Sequence, residues 1–310
     1  MSVVEAVDAH VDVRRNRRRR RLKEAGLGYL LLLPALVIFA AFTFYPFFKN
    51  FKLALYQAPP VPGLPSHYVG LSQVGQVLSS TSFLQSLLTS FVFVILVVPA
   101  SLLVGLALAV AAHRKLQGVG VYRMCFSSTV VSSVAVAALV FGTLMNPVVG
   151  FLPWLGINPT PPLLENTFWA LPSVALMSVW QYIGLSFIIM SAGLSSVPDE
   201  ILEAARIDGA SAWTRFWRVT VPLLSPTIFF ALVVGTIYAF QTFGQIDILI
   251  ATGQAAHLHT NVLIYNIVQQ LQNENNTGAA AVMAIALFLI MLALTLLQLR
   301  FLERRVHYAR

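Results

Sequence analysis

The sequence predicts an all-α fold, a polytopic transmembrane bundle of six helices. Three observations carry that prediction. Hydrophobic residues make up 57% of the 310 residues and charged residues only 10%. Mean hydropathy is +0.77, a balance typical of chains that cross a membrane several times. Six apolar stretches follow one another at 26–48, 84–112, 119–145, 168–194, 223–243 and 279–299. Each is long enough to cross a hydrocarbon core of about 30 Å as a helix.

Residues 1–25 form a polar tail with Arg14, Arg15, Arg17, Arg18, Arg19, Arg20, Arg21 and Lys23. It reads as a topology signal that touches anionic lipid, with no nucleic-acid role. The apolar run behind it is too long for a secretory signal, and no small-residue cleavage site follows. It is therefore expected to stay as the first span. The second-to-third connection holds Arg114, Lys115 and Arg123, and the fourth-to-fifth holds Arg206, Arg215 and Arg218. The C-terminus holds Arg300, Arg304, Arg305 and Arg310. Of the 20 Lys and Arg residues only Lys49 and Lys52 lie elsewhere, just past the first span. Both termini and the connection 196–222 are therefore expected in the cytoplasm. Residues 26–302 then form one membrane domain between basic cytoplasmic ends, 1–25 and 303–310. The opposite connections are Pro/Gly-rich at 58–63 and 147–162. The third, 252–278, is Asn/Gln-rich and expected to be an exposed loop with a short helix.

The longest charge-bearing stretch between spans is 196–222, with Asp199, Glu200, Glu203, Arg206, Asp208, Arg215 and Arg218. Ser196 and Asp199 have capping-box spacing, and Pro198 suits a first helical turn. Gly209 sits where that helix would end. Ile201, Leu202 and Ala205 share one face, and Trp213, Phe216 and Trp217 share a face of a second helix. Pro222 opens the next apolar run. A short helix-turn-helix of this kind is suited to touch something outside the membrane.

Glu203-Ala204-Ala205, then Asp208-Gly209-Ala210, Phe216 and Pro222, resembles the EAA motif of the permease subunits of ABC importers. The resemblance implies the type I permease fold and a docking element for an ATP-hydrolysing subunit, built from Glu203, Ala204, Ala205, Asp208, Gly209, Trp213, Phe216 and Pro222. It also implies a second, non-identical permease, two ATPase subunits, an extracytoplasmic solute-binding protein and a place in a bacterial plasma membrane. No cofactor is expected on this chain, since ATP and Mg belong to the ATPase subunits. Leu31-Leu32-Leu33-Pro34 with Tyr45-Pro46, Tyr68-Val69-Gly70-Leu71 and Gly150-Phe151-Leu152-Pro153 resemble the carbohydrate-uptake branch of that family. The ending 299–308 resembles those members of the branch that import glycerol 3-phosphate and glycerophosphodiesters. Thr252-Gly253-Gln254 departs from the Gly-Gly-Pro that commonly follows the threonine there.

No G-x-x-x-x-G-K-[ST], H-E-x-x-H or G-x-S-x-G pattern occurs, so nothing here points to an enzyme. The lone Cys125 excludes a disulfide framework. His257 and His259 are two loop histidines without a third ligand. The chemistry left is that of a conduit, whose polar residues face one another or a wet cavity. The fourth span carries Ser178, Trp180, Gln181, Tyr182 and Ser186. The outer end of the fifth carries Tyr238, Gln241, Thr242, Gln245 and Asp247. By analogy with the maltose-type members, Ser178, Gln181, Tyr182, Leu185, Gln241, Thr242 and Gln245 are candidates for the substrate path. The bland alternative for each is helix–helix hydrogen bonding. Asn146 and Gln298 read as interfacial. No Lys or Arg is expected inside the five later spans, so an anionic solute would rely on helix N-termini, hydroxyls, amides or the other subunit. A neutral disaccharide is the alternative substrate. A secondary transporter would need an acidic residue at mid-membrane, and Asp247 lies too far out. A membrane enzyme or scaffold would need a catalytic group or soluble domain.

Overall fold

The computed structural model describes residues 24–59, 66–113, 118–251 and 260–302. The basic tail, Arg114, Lys115, His257, His259, the 252–254 departure and 303–310 lie outside these residues. The chain forms two compact units, Met1–Leu53 and Ala54–Arg310. In the first, one helix, Glu24–Leu53, carries the apolar run expected of the first span. It is longer than expected, so Lys49 and Lys52 lie on its last turns rather than past its end. A π-helical turn at Ala40–Phe44 interrupts it.

Among its described residues, the regular structure of the second unit is helical except for a two-stranded pair, Tyr56–Gln57 antiparallel to His67–Tyr68. Its second span, Thr81–Ala112, is capped by Ser80, whose Oγ accepts from Phe83 N–H at 3.2 Å. The fourth span, Ala170–Ser195, is the hub. Of its apolar window 67% is buried, against 33% for the second and fifth spans and 28% for the sixth. It packs most closely along the second. Phe93 and Val97 meet Met177, Tyr182, Phe187 and Met190 in one core. Between membrane helices the attraction is van der Waals packing, which needs close approach. Gly105 supplies it, because any Cβ there would collide with Ser186. The sixth span, Thr277–Arg300, joins Phe83, Phe240, Leu263 and Ile267 in a smaller cluster through Met283 and Leu287.

Two spans depart from expectation. The third is not one helix over 119–145. It is Val119–Val131 and Val134–Leu144, bent by 101°. The cause is local. Ser127, Ser128, Thr129 and Ser132 hydroxyls each donate to a carbonyl three or four residues back, at 2.7 to 3.2 Å. Such bonds compete with the helical ladder. The chain tightens to a 3₁₀ turn at Ser128–Val131, then Ser132 and Ser133 turn extended. Arg123 lies on the first piece, so the third span does carry a cation near one end; its guanidinium donates to Ala112 O at 3.1 Å. The fifth span runs on past residue 243 as Ser225–Ile250, with a break between Phe240 and Gly244.

The 252–278 connection does contain a short helix, Leu263–Gln272, but one face of it is buried. Asn266 Nδ2 donates to Ser82 Oγ (3.0 Å) and Ser86 Oγ (3.1 Å), and Leu263 N–H donates to Ser90 Oγ at 2.8 Å. These bonds pin the helix to the second span. Burial, with Asp247 nearby, raises the pKa of the Tyr265 hydroxyl, although its bond from Gln269 pulls the other way. Two further polar side chains near span ends make specific bonds. Asn146 Oδ1 accepts from Val148 and Val149 N–H, a local turn at the end of the third span. Gln298 Nε2 donates to Thr236 Oγ1 of the fifth span at 3.0 Å, a bond between two spans.

Candidate functional site

The stretch 196–222 folds as two short helices that leave the bundle at the end of the fourth span and return into the fifth. The first is Asp199–Ile207, with Asp199 and Glu200 in its first turn and Arg206 in its last, matching the helix dipole. The capping box does not form. Pro198 occupies the N-cap without a side-chain bond, and Ser196 Oγ donates back to Gly193 O at 2.7 Å. The C-terminal end follows the expected logic closely. Gly209 has φ +77°, a left-handed conformation that costs glycine little. Ala210 N–H donates to Ala205 O and Gly209 N–H to Arg206 O, both at 3.1 Å, which is the paired bonding of a Schellman cap. Ser211 then caps Ala212–Arg215 by accepting from Thr214 N–H at 3.2 Å. A π-helical segment, Phe216–Thr220, continues the chain, and Pro222 lies at the start of the turn that leads into the fifth span.

Two capped helices about a glycine make one wedge. Glu203, Ala204, Asp208, Gly209 and Trp213 are exposed on it, while Ala205, Phe216 and Pro222 are half-buried. Leu202 and Ala205 turn inward, but Ile201 is exposed, so the predicted face is narrower than the spacing implied. Trp217 meets the rings of Trp213 and Phe216 at centroid distances of 5.6 and 5.1 Å. Among the described residues Glu203 and Asp208 make no ion pair. Ile207 is 86% exposed beside Asp208. Sequence reasoning did not single it out, although an isoleucine lying off the inward face of a short helix is a legible signal. A cavity of about 660 Å³ separates the wedge from the ends of the second and fourth spans, lined among others by His113, Leu194, Leu202, Arg206 and Arg215.

Inside the bundle the fourth and fifth spans share a polar cluster. Gln245 Nε2 donates to Gln181 Oε1 at 3.0 Å and lies 3.4 Å from the Tyr238 hydroxyl. The Tyr182 and Tyr238 rings stack at 5.0 Å, and the Tyr182 hydroxyl donates to Ala231 O at 2.9 Å. Gln181, Tyr182 and Gln245 are thus brought together, with Tyr238 at the centre. The other candidates are not part of this group. Thr242 Oγ1 donates to Tyr238 O of its own helix at 3.2 Å. Gln241 is exposed and Leu185 half-buried in apolar packing. Ser178 Oγ is fully buried, with no hydrogen-bond partner among the described residues.

Residues 68–308 match the family model described as binding-protein-dependent transport system inner membrane component. The sn-glycerol-3-phosphate transport system permease protein UgpA of Agrobacterium fabrum is 38% identical over 290 residues, covering 91% of this chain and 96% of that protein. The UgpA protein of Rhizobium meliloti is 34% identical, with the same coverage. Among solved structures, a chain of the bacterial alginate ABC transporter in complex with alginate pentasaccharide-bound periplasmic protein superposes with TM-score 0.76 at 18% identity, covering 94% of this chain and 99% of that one. A chain of an amino acid ABC transporter gives TM-score 0.51 at 14% identity, covering 74% of this chain and 97% of that one. With its spans, its two-helix wedge and these relatives in view, the chain belongs to the binding-protein-dependent transport system inner membrane components, as a multi-pass permease subunit of an ABC importer.

Proposed function

We propose that this permease moves glycerol 3-phosphate or a glycerophosphodiester inward by alternating access. The wedge 196–222 is its lever. In this reading both termini and the wedge face the cytoplasm. Two ATPase subunits dock from below, carrying ATP and Mg, and contact Glu203, Asp208, Ile207 and Trp213. A second, non-identical permease completes the path, and a solute-binding protein delivers the substrate from outside. The chain itself performs no catalysis. One observation carries the mechanism. The wedge is continuous with the fourth and fifth spans, and those two spans hold the Gln181–Gln245 bond between them. A force on the wedge therefore acts on the helices that frame the polar cluster.

The substrate rests on relatives named for glycerol 3-phosphate at 34–38% identity. A neutral carbohydrate is the second reading. It is favoured by a cluster made only of amides and phenols, with no cation in it. Uptake by the assembled transporter, measured against sn-glycerol 3-phosphate, glycerophosphodiesters and disaccharides, separates the two. Uptake of disaccharides alone would reject the phosphate reading.

A further inference from the structure

The cavity of about 660 Å³ behind the wedge has two kinds of lining. Val110 of the second span, Leu194 and Val197 at the end of the fourth, and Leu202 of the wedge are apolar. His113, Arg206 and Arg215 are basic, and no carboxylate lines the cavity among the described residues. The second span, the fourth span and the wedge all belong to this chain, so no partner is needed to frame the space. Its volume suits a small organic ligand or a head group.

Basic side chains beside helix C-termini commonly bond the last carbonyls there. Here those carbonyls are already supplied. Ala112 O accepts from Arg123 at 3.1 Å, Gly193 O from Ser196 Oγ at 2.7 Å and Leu194 O from Val197 N–H at 3.3 Å. The nearest acidic residues of the wedge, Asp199 and Glu200, line a neighbouring hollow with Arg123. Among the described residues, neither the Arg206 nor the Arg215 guanidinium makes a hydrogen bond or ion pair. Arg215 is half-buried by its own chain, a burial that assembly with partners can only deepen. A guanidinium partly withdrawn from water without an acceptor is costly, and a bound anion relieves that cost.

We propose that this cavity holds the head group of an anionic phospholipid. Its phosphate sits on Arg206 and Arg215, whose planar forks match phosphate oxygens. The acyl carbons nearest the head group lie along Val110, Leu194, Val197 and Leu202. Free phosphate would leave that apolar lining unused. The place agrees with a lipid, because Val110 and Leu194 lie in the last turns of Thr81–Ala112 and Ala170–Ser195. Basic pockets at the ends of membrane-crossing helices are where lipid head groups bind. A lipid held there joins both wedge helices to the span ends, so the lever responds to membrane composition. The inference does not depend on which solute is carried.

The complete transporter is reconstituted in phosphatidylcholine bilayers with rising fractions of phosphatidylglycerol, then extracted in mild neutral detergent. Native mass spectrometry counts the phosphatidylglycerol retained. Wild type is compared with the Arg206→Gln, Arg215→Gln pair and with Arg218→Gln, which removes a wedge charge outside the cavity lining. The pair should need about tenfold more phosphatidylglycerol for the same retention, while Arg218→Gln should behave as wild type. Equal loss from Arg218→Gln would reduce the effect to general surface charge, and the inference would fall. Unchanged retention by the pair would also overturn it, including the case in which a partner subunit closes the cavity. A further arm uses phosphatidylcholine alone with inorganic phosphate. If phosphate raises the thermal stability of wild type but not of the pair, and phosphatidylglycerol does not, the occupant is a soluble anion and the lipid assignment is wrong. Where the pair fails to assemble, Ala107→Phe, which fills the cavity with both arginines kept, is read by the same retention outcomes.

Discussion

At Gly209 the backbone conformation and the proposed function meet in one residue. Its φ of +77° ends one helix and starts the turn into the next. An alanine there incurs a left-handed penalty of about 1 kcal/mol, whereas asparagine tolerates the conformation better. Gly209→Ala is expected to lower uptake by the assembled transporter, and Gly209→Asn to keep more of it, as a transport assay on both would read. The polar cluster gives a second contrast. The Tyr182 hydroxyl is committed to Ala231 O, a helix–helix bond, whereas Gln245 bridges Gln181 and Tyr238. Tyr182→Phe should therefore retain most uptake. Gln245→Ala should lose it, and the Gln181→Ala, Gln245→Ala pair should fall well short of additive, because they share one interaction. Equal losses from Tyr182→Phe and Gln245→Ala would count against a substrate role for the glutamines. These residues were visible in the sequence because polar groups are sparse in apolar runs. Their pairings were not, because which residue faces which depends on how two helices are rotated. The same limit hid the Gln298–Thr236 bond.

At the scale of elements, spans two, four and six were legible because each is a long unbroken apolar run. The third was misread for a physical reason. Hydropathy averaged over a span is blind to one turn of serines whose hydroxyls fold back on their own chain. The fifth was cut short at residue 243 because Gly244, Gln245 and Asp247 look like a loop, although Ile246, Ile248, Leu249 and Ile250 carry the span onward. The wedge was legible at its glycine end, where the cap is a matter of backbone geometry, and misread at its start, where Pro198 rather than Ser196 holds the N-cap. Packing yields an element-scale prediction. Thr129 fills the space a side chain at Gly184 would need, and overpacking of this kind costs about 1–3 kcal/mol. Gly184→Val should lower the amount and thermal stability of folded permease recovered from membranes, while Gly156→Ala, in a loop with open space around it, tests only its local turn at φ +78°.

For the whole molecule, the proposed mechanism makes this subunit a converter: it holds no fuel, and it turns a neighbour's closure into a change of tilt in two buried helices. The cavity of about 660 Å³ behind the wedge gives room for that movement. Filling it should stiffen the lever, so Ala107→Phe, which projects into the cavity from the second span, is expected to slow uptake more than it slows ATP hydrolysis by the complex. Parallel measurement of both rates checks this. The most direct test of the lever is the double variant Glu203→Ala, Gly209→Ala, followed for membrane insertion, co-purification of the ATPase subunits and uptake. A working lever predicts normal insertion with both ATPase association and uptake lost; uptake at the unmodified rate would contradict it.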